Sequence, residues 1–251
     1  MDRLVAAVLS GAAPDPALGL LVLARTLPVT MVAPWLGGRR VGLGPRLGIG
    51  LVLSIALMPL AASAAGRLPK GALALGALAL REVAVGLTFA VATSVPLIAL
   101  GWTGRLLDRF RGAGPEDRTL AELHLAAGVV LFVVIGAHRL GLQAFGEALV
   151  ALPIGTPPAD PEAFLVGSLR LVVAALTLTV AFAAPAALAF VTLEALGGLL
   201  ARLAPRLAGA IEPLGPRAAT ALAVGLAGLA ALLPRLGPAI REAIAAVERL
   251  W

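Results

Sequence analysis

The amino-acid sequence predicts an all-α protein whose main helices are hydrophobic and associated with a membrane. Of the 251 residues, 60% are hydrophobic and 14% are charged, and the mean hydropathy is +0.99. A soluble domain carries about 25% charged residues, so this chain could not cover a globular surface with polar groups. The hydrophobic runs are continuous rather than alternating, which favours helices over strands. This composition excludes an ordinary soluble enzyme and a disordered tail.

The spacing of ionisable residues predicts about six main helices, because a membrane span needs roughly 20 apolar residues. Four long runs contain no ionisable residue: Leu47–Gly66, Val83–Gly104, Leu171–Leu193 and Ala218–Pro234. Two others contain a few: Ala17–Leu36 and Thr119–Ala137. With the shorter apolar stretches beside them, these runs place helices at about 17–36, 47–66, 71–104, 119–155, 163–193 and 218–234. We assign the whole chain, 1–251, to a single domain.

Proline and the C-terminal pattern refine this prediction. Several prolines interrupt the apolar runs and predict kinked helices; they are Pro28, Pro34, Pro59, Pro96 and Pro185. In the tail, 235–251, apolar residues recur at helical spacing with charged residues between them. This pattern predicts an amphipathic helix, placed on a membrane surface or against a partner.

The charge balance argues against nucleic acid as a partner. The net charge is +6 and the pI is about 11.4, but no dense basic run is available to bind phosphates. Under a six-span topology the basic residues divide almost evenly between the two sides. The general rule that cytoplasmic loops carry more basic residues therefore does not decide the orientation of this chain.

No residue constellation points to catalysis or to a metal. Cysteine is absent, and the two histidines, His124 and His138, would be about 21 Å apart along one helix. No serine lies in a Gly-x-Ser-x-Gly turn, and no phosphate-binding glycine motif follows a strand. We therefore predict no catalytic residue, no metal site and no cofactor.

Two charged segments are candidates for function. Arg81-Glu82 lies between apolar stretches, where a charge is costly unless it is paired. The pair marks either a turn between two helices or a contact with a partner subunit. The segment Arg105–Arg118 contains a glycine- and proline-rich turn flanked by charge. It is either a solvated loop or a loop that enters a channel. Thr119 and Glu122, directly after it, have the spacing of a helix capping box.

The order of these features resembles the FliR/SctT family (YscT, SpaR, HrcT) of export-gate proteins in flagellar and type III secretion systems. The resemblance extends from about Ala24 to Leu233. It is carried by Ala24-Arg25, Ala33-Pro34, Arg39-Arg40-Val41, Arg46-Leu47, Met58-Pro59, Arg81-Glu82, Gly86-Leu87, Gly104, Leu131-Phe132, Gly136, His138, Leu152-Pro153-Ile154-Gly155 and the stretch Leu199–Pro205.

The resemblance implies a structural and gating subunit of a type III protein export channel rather than an enzyme. Such a subunit assembles with SctR/FliP-like and SctS/FliQ-like subunits and works with an SctU/FlhB-like switch protein. Unfolded protein substrates pass through the channel. The implied location is the bacterial inner membrane, as a multi-pass protein in contact with lipid, within a secretion or flagellar basal body.

The resemblance also implies site residues. The plug that closes the channel falls on Phe110, Arg111, Gly112, Ala113, Gly114, Pro115, Glu116, Asp117 and Arg118. Residues at subunit interfaces or the lumen are Arg25, Arg81, Glu82, His138, Arg202 and Pro205. The chain departs from the family in two places. Its plug loop is shorter and more charged, and Leu214-Gly215-Pro216 replaces a glycine-phenylalanine-proline sequence.

A stand-alone solute transporter with broken helices is the alternative function. It would need convergent polar groups near the middle of the membrane, whereas a membrane-embedded enzyme would need an acid–base constellation. The association state separates these classes of protein. A transporter or an enzyme is expected to be stable and active alone, whereas an export-gate subunit is expected to need its partners.

Overall fold

The computed structural model is helical throughout the residues that it describes. These are residues 15–36, 41–66, 68–110, 112, 114–157 and 161–206, with single helical positions between 223 and 242. Within these ranges no strand is present. The all-α prediction is therefore confirmed. Most of the predicted helix at 218–234 and of the amphipathic tail lies outside the described residues.

Six α-helices follow one another along the described chain. They are α1 (Pro16–Val32), α2 (Leu43–Ala64), α3 (Ala72–Phe110), α4 (Thr119–Val134), α5 (Ala137–Ala151) and α6 (Pro161–Leu203). A short 3-10 helix, Pro34–Leu36, follows α1. The carboxylate of Asp15 accepts a hydrogen bond from the Ala17 N–H, and Pro16 occupies the first turn of α1. This is a favourable start, because proline has no N–H to leave unpaired there.

The apolar segment 119–155 is two helices rather than one. The break falls at Gly136, whose φ of +75° is in the left-handed region that favours glycine. By contrast, α3 and α6 are longer than the runs that predicted them, with 39 and 43 residues. Their charged residues lie within the helices and do not end them.

Within the part of the chain that the structure describes, three helices are long and apolar enough to cross a membrane, namely α2, α3 and α6. The broken pair α4 and α5 qualifies together as a fourth candidate span. Helix α1 is apolar but shorter. The described residues are therefore those of a multi-pass membrane protein.

The contacts divide the chain into two compact units. Among the described residues, those within 15–95 and 136–172 belong to the first unit, and those within 96–135 and 173–206 belong to the second. In the first unit, buried residues of α1, α2 and α5 form a core with Ile154. In the second, Leu107 of α3, Leu120 of α4 and Phe190 of α6 form a smaller core. The assignment of 1–251 to one export-gate domain stays a prediction.

Candidate functional site

A buried ion pair joins α1 to α3. Arg25 on α1 is 1% exposed and Glu82 on α3 is fully buried. The Arg25 Nε donates a hydrogen bond to the Glu82 Oε2 at 2.6 Å, and the Nη1 donates to the carbonyl oxygen of Leu152 at 2.7 Å. The guanidinium therefore links α1, α3 and the turn after α5. A buried arginine is tolerable here because a carboxylate and a carbonyl both accept its N–H groups.

A second arginine shares the same carboxylate. The Arg81 Nη2 donates to the Glu82 Oε1 at 2.6 Å, and the Arg81 side chain is 25% exposed. Both carboxylate oxygens of Glu82 thus accept hydrogen bonds from guanidinium groups. Two cations on one anion leave the cluster of Arg25, Arg81 and Glu82 with a formal charge of +1.

Close backbone packing positions this cluster. A Cβ at Gly86 would overlap the backbone carbonyl of Arg25, so only glycine lets α3 approach α1 this closely. Gly86 lies one turn after Glu82 and on the same face of the helix. The short distance between the helices brings the Glu82 carboxylate within reach of Arg25.

One of the two interpretations of Arg81-Glu82 is wrong. Helix α3 runs without a break from Ala72 to Phe110, so the pair does not mark a turn between helices. The charges remain inside the helix because Glu82 is neutralised by Arg25 from α1. Contact of this pair with a partner subunit stays a prediction.

The charged loop follows α3 directly. Phe110 is the last residue of α3, and its ring lies 5.9 Å from that of Phe190 on α6. Gly112 has a φ of +79°, in the left-handed region that favours glycine. From Gly114 to Arg118 every residue is exposed. Two of the predicted plug residues, Arg111 and Ala113, lie outside the described residues.

Asp108 holds the base of this loop. Its carboxylate is buried and accepts hydrogen bonds from the Leu120 N–H at 3.1 Å and the Ala121 N–H at 3.0 Å. These are N–H groups in the first turn of α4, which have no partner within their own helix. One turn earlier, a Cβ at Gly104 would lie 2.5 Å from the Ala121 Cα. Gly104 and Asp108 thus fix the end of α3 against the start of α4.

The start of α4 differs from the predicted capping box. Thr119 is the first helical residue, not the cap, and its hydroxyl donates to the Asp117 Oδ1 at 2.7 Å. The Thr119 N–H donates to the same oxygen. Asp108 and Asp117 therefore accept hydrogen bonds from the N–H groups at the start of α4. Asp108 does so from the neighbouring helix α3.

The other predicted site residues lie outside the charge cluster. His138 is half-buried at the start of α5, and its Nδ1 has no hydrogen-bond partner. Arg202 is exposed in the last turn of α6, and Pro205 is exposed just beyond it. His124 is buried, and its Nδ1 lies 2.8 Å from the carbonyl oxygen of Leu120. No group of three or more potential ligands for a metal occurs in the described part of the chain.

Two residues that matter for this geometry were not predicted. The sequence alone places Asp108 in a charged loop, but its spacing of one turn from Gly104 is a signal that it lies on a packed helix face. Leu152 contributes through its backbone carbonyl, which no side-chain pattern reveals.

The chain matches the family described as bacterial export proteins, family 1, over residues 17–247. No curated protein gives a significant match. The matched range includes the Arg25–Glu82 pair and the whole of the charged loop, so the resemblance to the FliR/SctT family is confirmed. The matched family is one of export proteins and not of enzymes. With nearly the whole chain covered by the match, this protein belongs to the bacterial export proteins of family 1.

Proposed function

We propose that this chain is a structural and gating subunit of a type III protein export channel in the bacterial inner membrane. It would assemble with SctR/FliP-like and SctS/FliQ-like subunits, work with an SctU/FlhB-like switch protein, and pass unfolded protein substrates. The observation that carries this proposal is the family match over residues 17–247. The apolar helices, several of them long enough to cross a membrane, agree with it.

The surface of the described helices supports assembly. Large apolar side chains are exposed along α2, including Val52 and Ile55, and along α6, including Val173 and Leu188. An apolar surface of this extent needs lipid or protein to cover it. In α2 the buried residues are small, namely Gly50, Ser54 and Ala61. Helix α2 therefore offers most of its large side chains to its surroundings.

The loop 110–118 has the form expected of a gate. Its base is fixed by Gly104 and Asp108, whereas the described residues from Gly114 to Arg118 are exposed. A segment held at its base and free of packing at its tip can block a pore without being part of the wall. We assign the plug role to residues 110–118 because the family resemblance implies it, and this geometry is compatible with that role.

The remaining predicted residues are assigned to contacts. Arg202 and Pro205 are exposed at the end of α6, where they can reach a partner. Arg81 is the one member of the charge cluster with substantial exposure, and the cluster carries an excess positive charge. A carboxylate of a partner subunit on Arg81 would neutralise that charge in apolar surroundings.

Purification of the tagged chain from detergent-solubilised membranes tests this function. The wild-type chain is expected to bring down two small hydrophobic partners in a large particle, identified by mass spectrometry. Arg202→Leu is expected to weaken this recovery, whereas Arg170→Leu, which changes an exposed arginine elsewhere on α6, is the matched control.

Two outcomes would contradict the proposal. A monodisperse chain that is stable without partners would favour a stand-alone solute transporter. Equal recovery of the partners with wild type and Arg202→Leu would show that the end of α6 is not part of the assembly surface.

A further inference from the structure

A cleft opens beside the charged loop in the second unit. It has a volume of about 430 Å³ and lies between the end of α3, the described part of the loop and the middle of α6. That volume is within the range of small-molecule sites. Arginines, aspartates and apolar side chains all contribute to its lining.

Three arginines form the cationic part of the lining. Arg105 and Arg109 are one turn apart on α3, and Arg118 lies at the start of α4; all three are exposed and line the cleft. In the described part of the chain, no ion pair involves any of them. Asp108 and Asp117 also line the cleft, but they accept hydrogen bonds from the start of α4. The positive end of that helix dipole offsets their charge, which leaves the arginines available for an anion.

The apolar part of the lining comes from α3 and α6. Trp102 lies one turn before Leu106 on α3, and Leu176 and Val180 lie one turn apart on α6. Leu176 and Val180 each expose more than half of their side chains. This stripe extends the cleft along an apolar helix face, so the cleft suits an amphiphile better than a compact ion.

We propose that this cleft binds an anionic phospholipid, with its phosphate on Arg105, Arg109 and Arg118 and its acyl chains along Leu176 and Val180. Guanidinium groups bind phosphate oxygens in a forked geometry that an ammonium cannot reproduce. The arginines follow the apolar part of α3, a candidate span, which is the position where a headgroup region would begin. Trp102, one turn away, is the kind of residue that lies at such an interface.

Of the three arginines, Arg118 also belongs to the segment 110–118 that we assign to the plug, but the lipid site does not require this segment to close a pore. It requires only that α3 and α6 contact a bilayer, as their length and composition indicate. A failure of the channel proposal would leave the lipid site standing, and the reverse also holds.

Native mass spectrometry of the full chain, purified in mild detergent together with any partners that it retains, tests the site. The chain is mixed with equal amounts of phosphatidylglycerol and phosphatidylcholine, and retention of each lipid is measured. We expect preferential retention of phosphatidylglycerol by the wild type. The double variant Arg105→Gln/Arg109→Gln is expected to lower it by about tenfold, whereas Arg170→Gln, an exposed arginine away from the cleft, is expected to leave it unchanged.

Two further variants test whether a loss of retention comes from misfolding. Competition with inorganic phosphate tests whether the site binds a phosphate ion rather than a lipid. Arg105→Lys/Arg109→Lys keeps the charge and is expected to recover part of the retention. Val180→Asn is expected to weaken retention of the lipid through loss of the apolar wall. Equal retention of both lipids by the wild type, unchanged retention in the glutamine variant, or displacement of the lipid by an equal concentration of inorganic phosphate would each overturn the proposal.

Discussion

At the scale of single residues, Glu82 determines whether Arg25 can be buried. A buried guanidinium without a partner is expensive, because the apolar surroundings do not solvate the charge. Here one carboxylate oxygen faces Arg25 and the other faces Arg81, and the Leu152 carbonyl accepts a further N–H from Arg25. Each polar group in the cluster therefore depends on the others, and removing one exposes the remaining charges to an unfavourable environment.

Replacing Glu82 is expected to destabilise the chain strongly. Glu82→Leu leaves Arg25 buried with no counter-charge, and we expect the free energy of unfolding to fall by about 3–5 kcal/mol. Thermal melting in detergent measures the loss. Glu147→Leu, which changes an exposed glutamate on α5, is expected to cost less than about 1 kcal/mol.

The double variant Arg25→Met/Glu82→Leu separates charge from packing. Replacing both partners with apolar residues removes the uncompensated cation, so it is expected to be more stable than Glu82→Leu alone. If the double variant melts at or below the temperature of the single variant, the cost comes from lost shape and not from a stranded charge.

At the scale of helices, α3 is fixed at two points along its length by glycines. Gly86 lets it approach α1 in the first unit, and Gly104 lets it approach α4 in the second. In each case a charged residue one turn away completes the contact, Glu82 in the first and Asp108 in the second. At each point a missing Cβ and a hydrogen bond between the helices occur together, because the bond requires the close approach.

A methyl group at either glycine is expected to separate the helices. Gly86→Ala or Gly104→Ala forces a backbone shift, and we expect each to cost about 1–3 kcal/mol of the free energy of unfolding. Gly76→Ala, also in α3, has open space at its Cβ position and is expected to be neutral or stabilising by up to about 1 kcal/mol. Equal melting temperatures for Gly76→Ala and Gly86→Ala would show that α3 and α1 are not in close contact.

Asp108 is expected to control the order of the loop. Asp108→Ala leaves two N–H groups at the start of α4 without acceptors, and each buried unpaired group costs about 1–3 kcal/mol. We expect a lower melting temperature and faster tryptic cleavage within 109–118. Asp108→Asn keeps one acceptor and is expected to have the smaller effect. A cleavage rate that is the same in all three proteins would mean that Asp108 does not hold the loop.

At the scale of the whole chain, composition was enough to predict helices, and charge spacing was enough to predict where most of them lie. Helix ends were harder, because a charge marks the end of an apolar run and not the end of a helix. Glu194 and Arg202 lie within α6, since a long helix can continue with charged residues on an exposed surface. The break at Gly136 was also missed, because an apolar run hides a single residue with positive φ.

The site was predictable in its residues but not in its partnerships. The family pattern pointed to Arg25, Arg81 and Glu82, and the structure brings these three together. The pairing of Arg25 with Glu82 joins residues 57 positions apart, which no local spacing rule reaches. The role of Asp108 was hidden for the same reason, since its partners are backbone N–H groups on another helix.

The gating role of the loop is the last consequence of this arrangement, and it predicts a leak. If residues 110–118 close the pore, removing 112–117 while keeping Asp108 and Thr119 is expected to raise the ion conductance of the assembled complex severalfold in planar bilayers. Replacing 112–117 by six glycine and serine residues is the matched control. If the length of the segment 112–117 closes the pore, this control is expected to conduct no more than the wild type. If the charged residues of the segment close the pore, the control is expected to conduct as much as the deletion variant. The deletion removes the hydrogen bonds from Thr119 to Asp117 but keeps those from Leu120 and Ala121 to Asp108, which lies outside the deleted segment. Assembly is therefore expected to survive, which co-purification of the partners checks. An assembled deletion variant that conducts no more than the wild type would mean that the seal lies elsewhere in the complex.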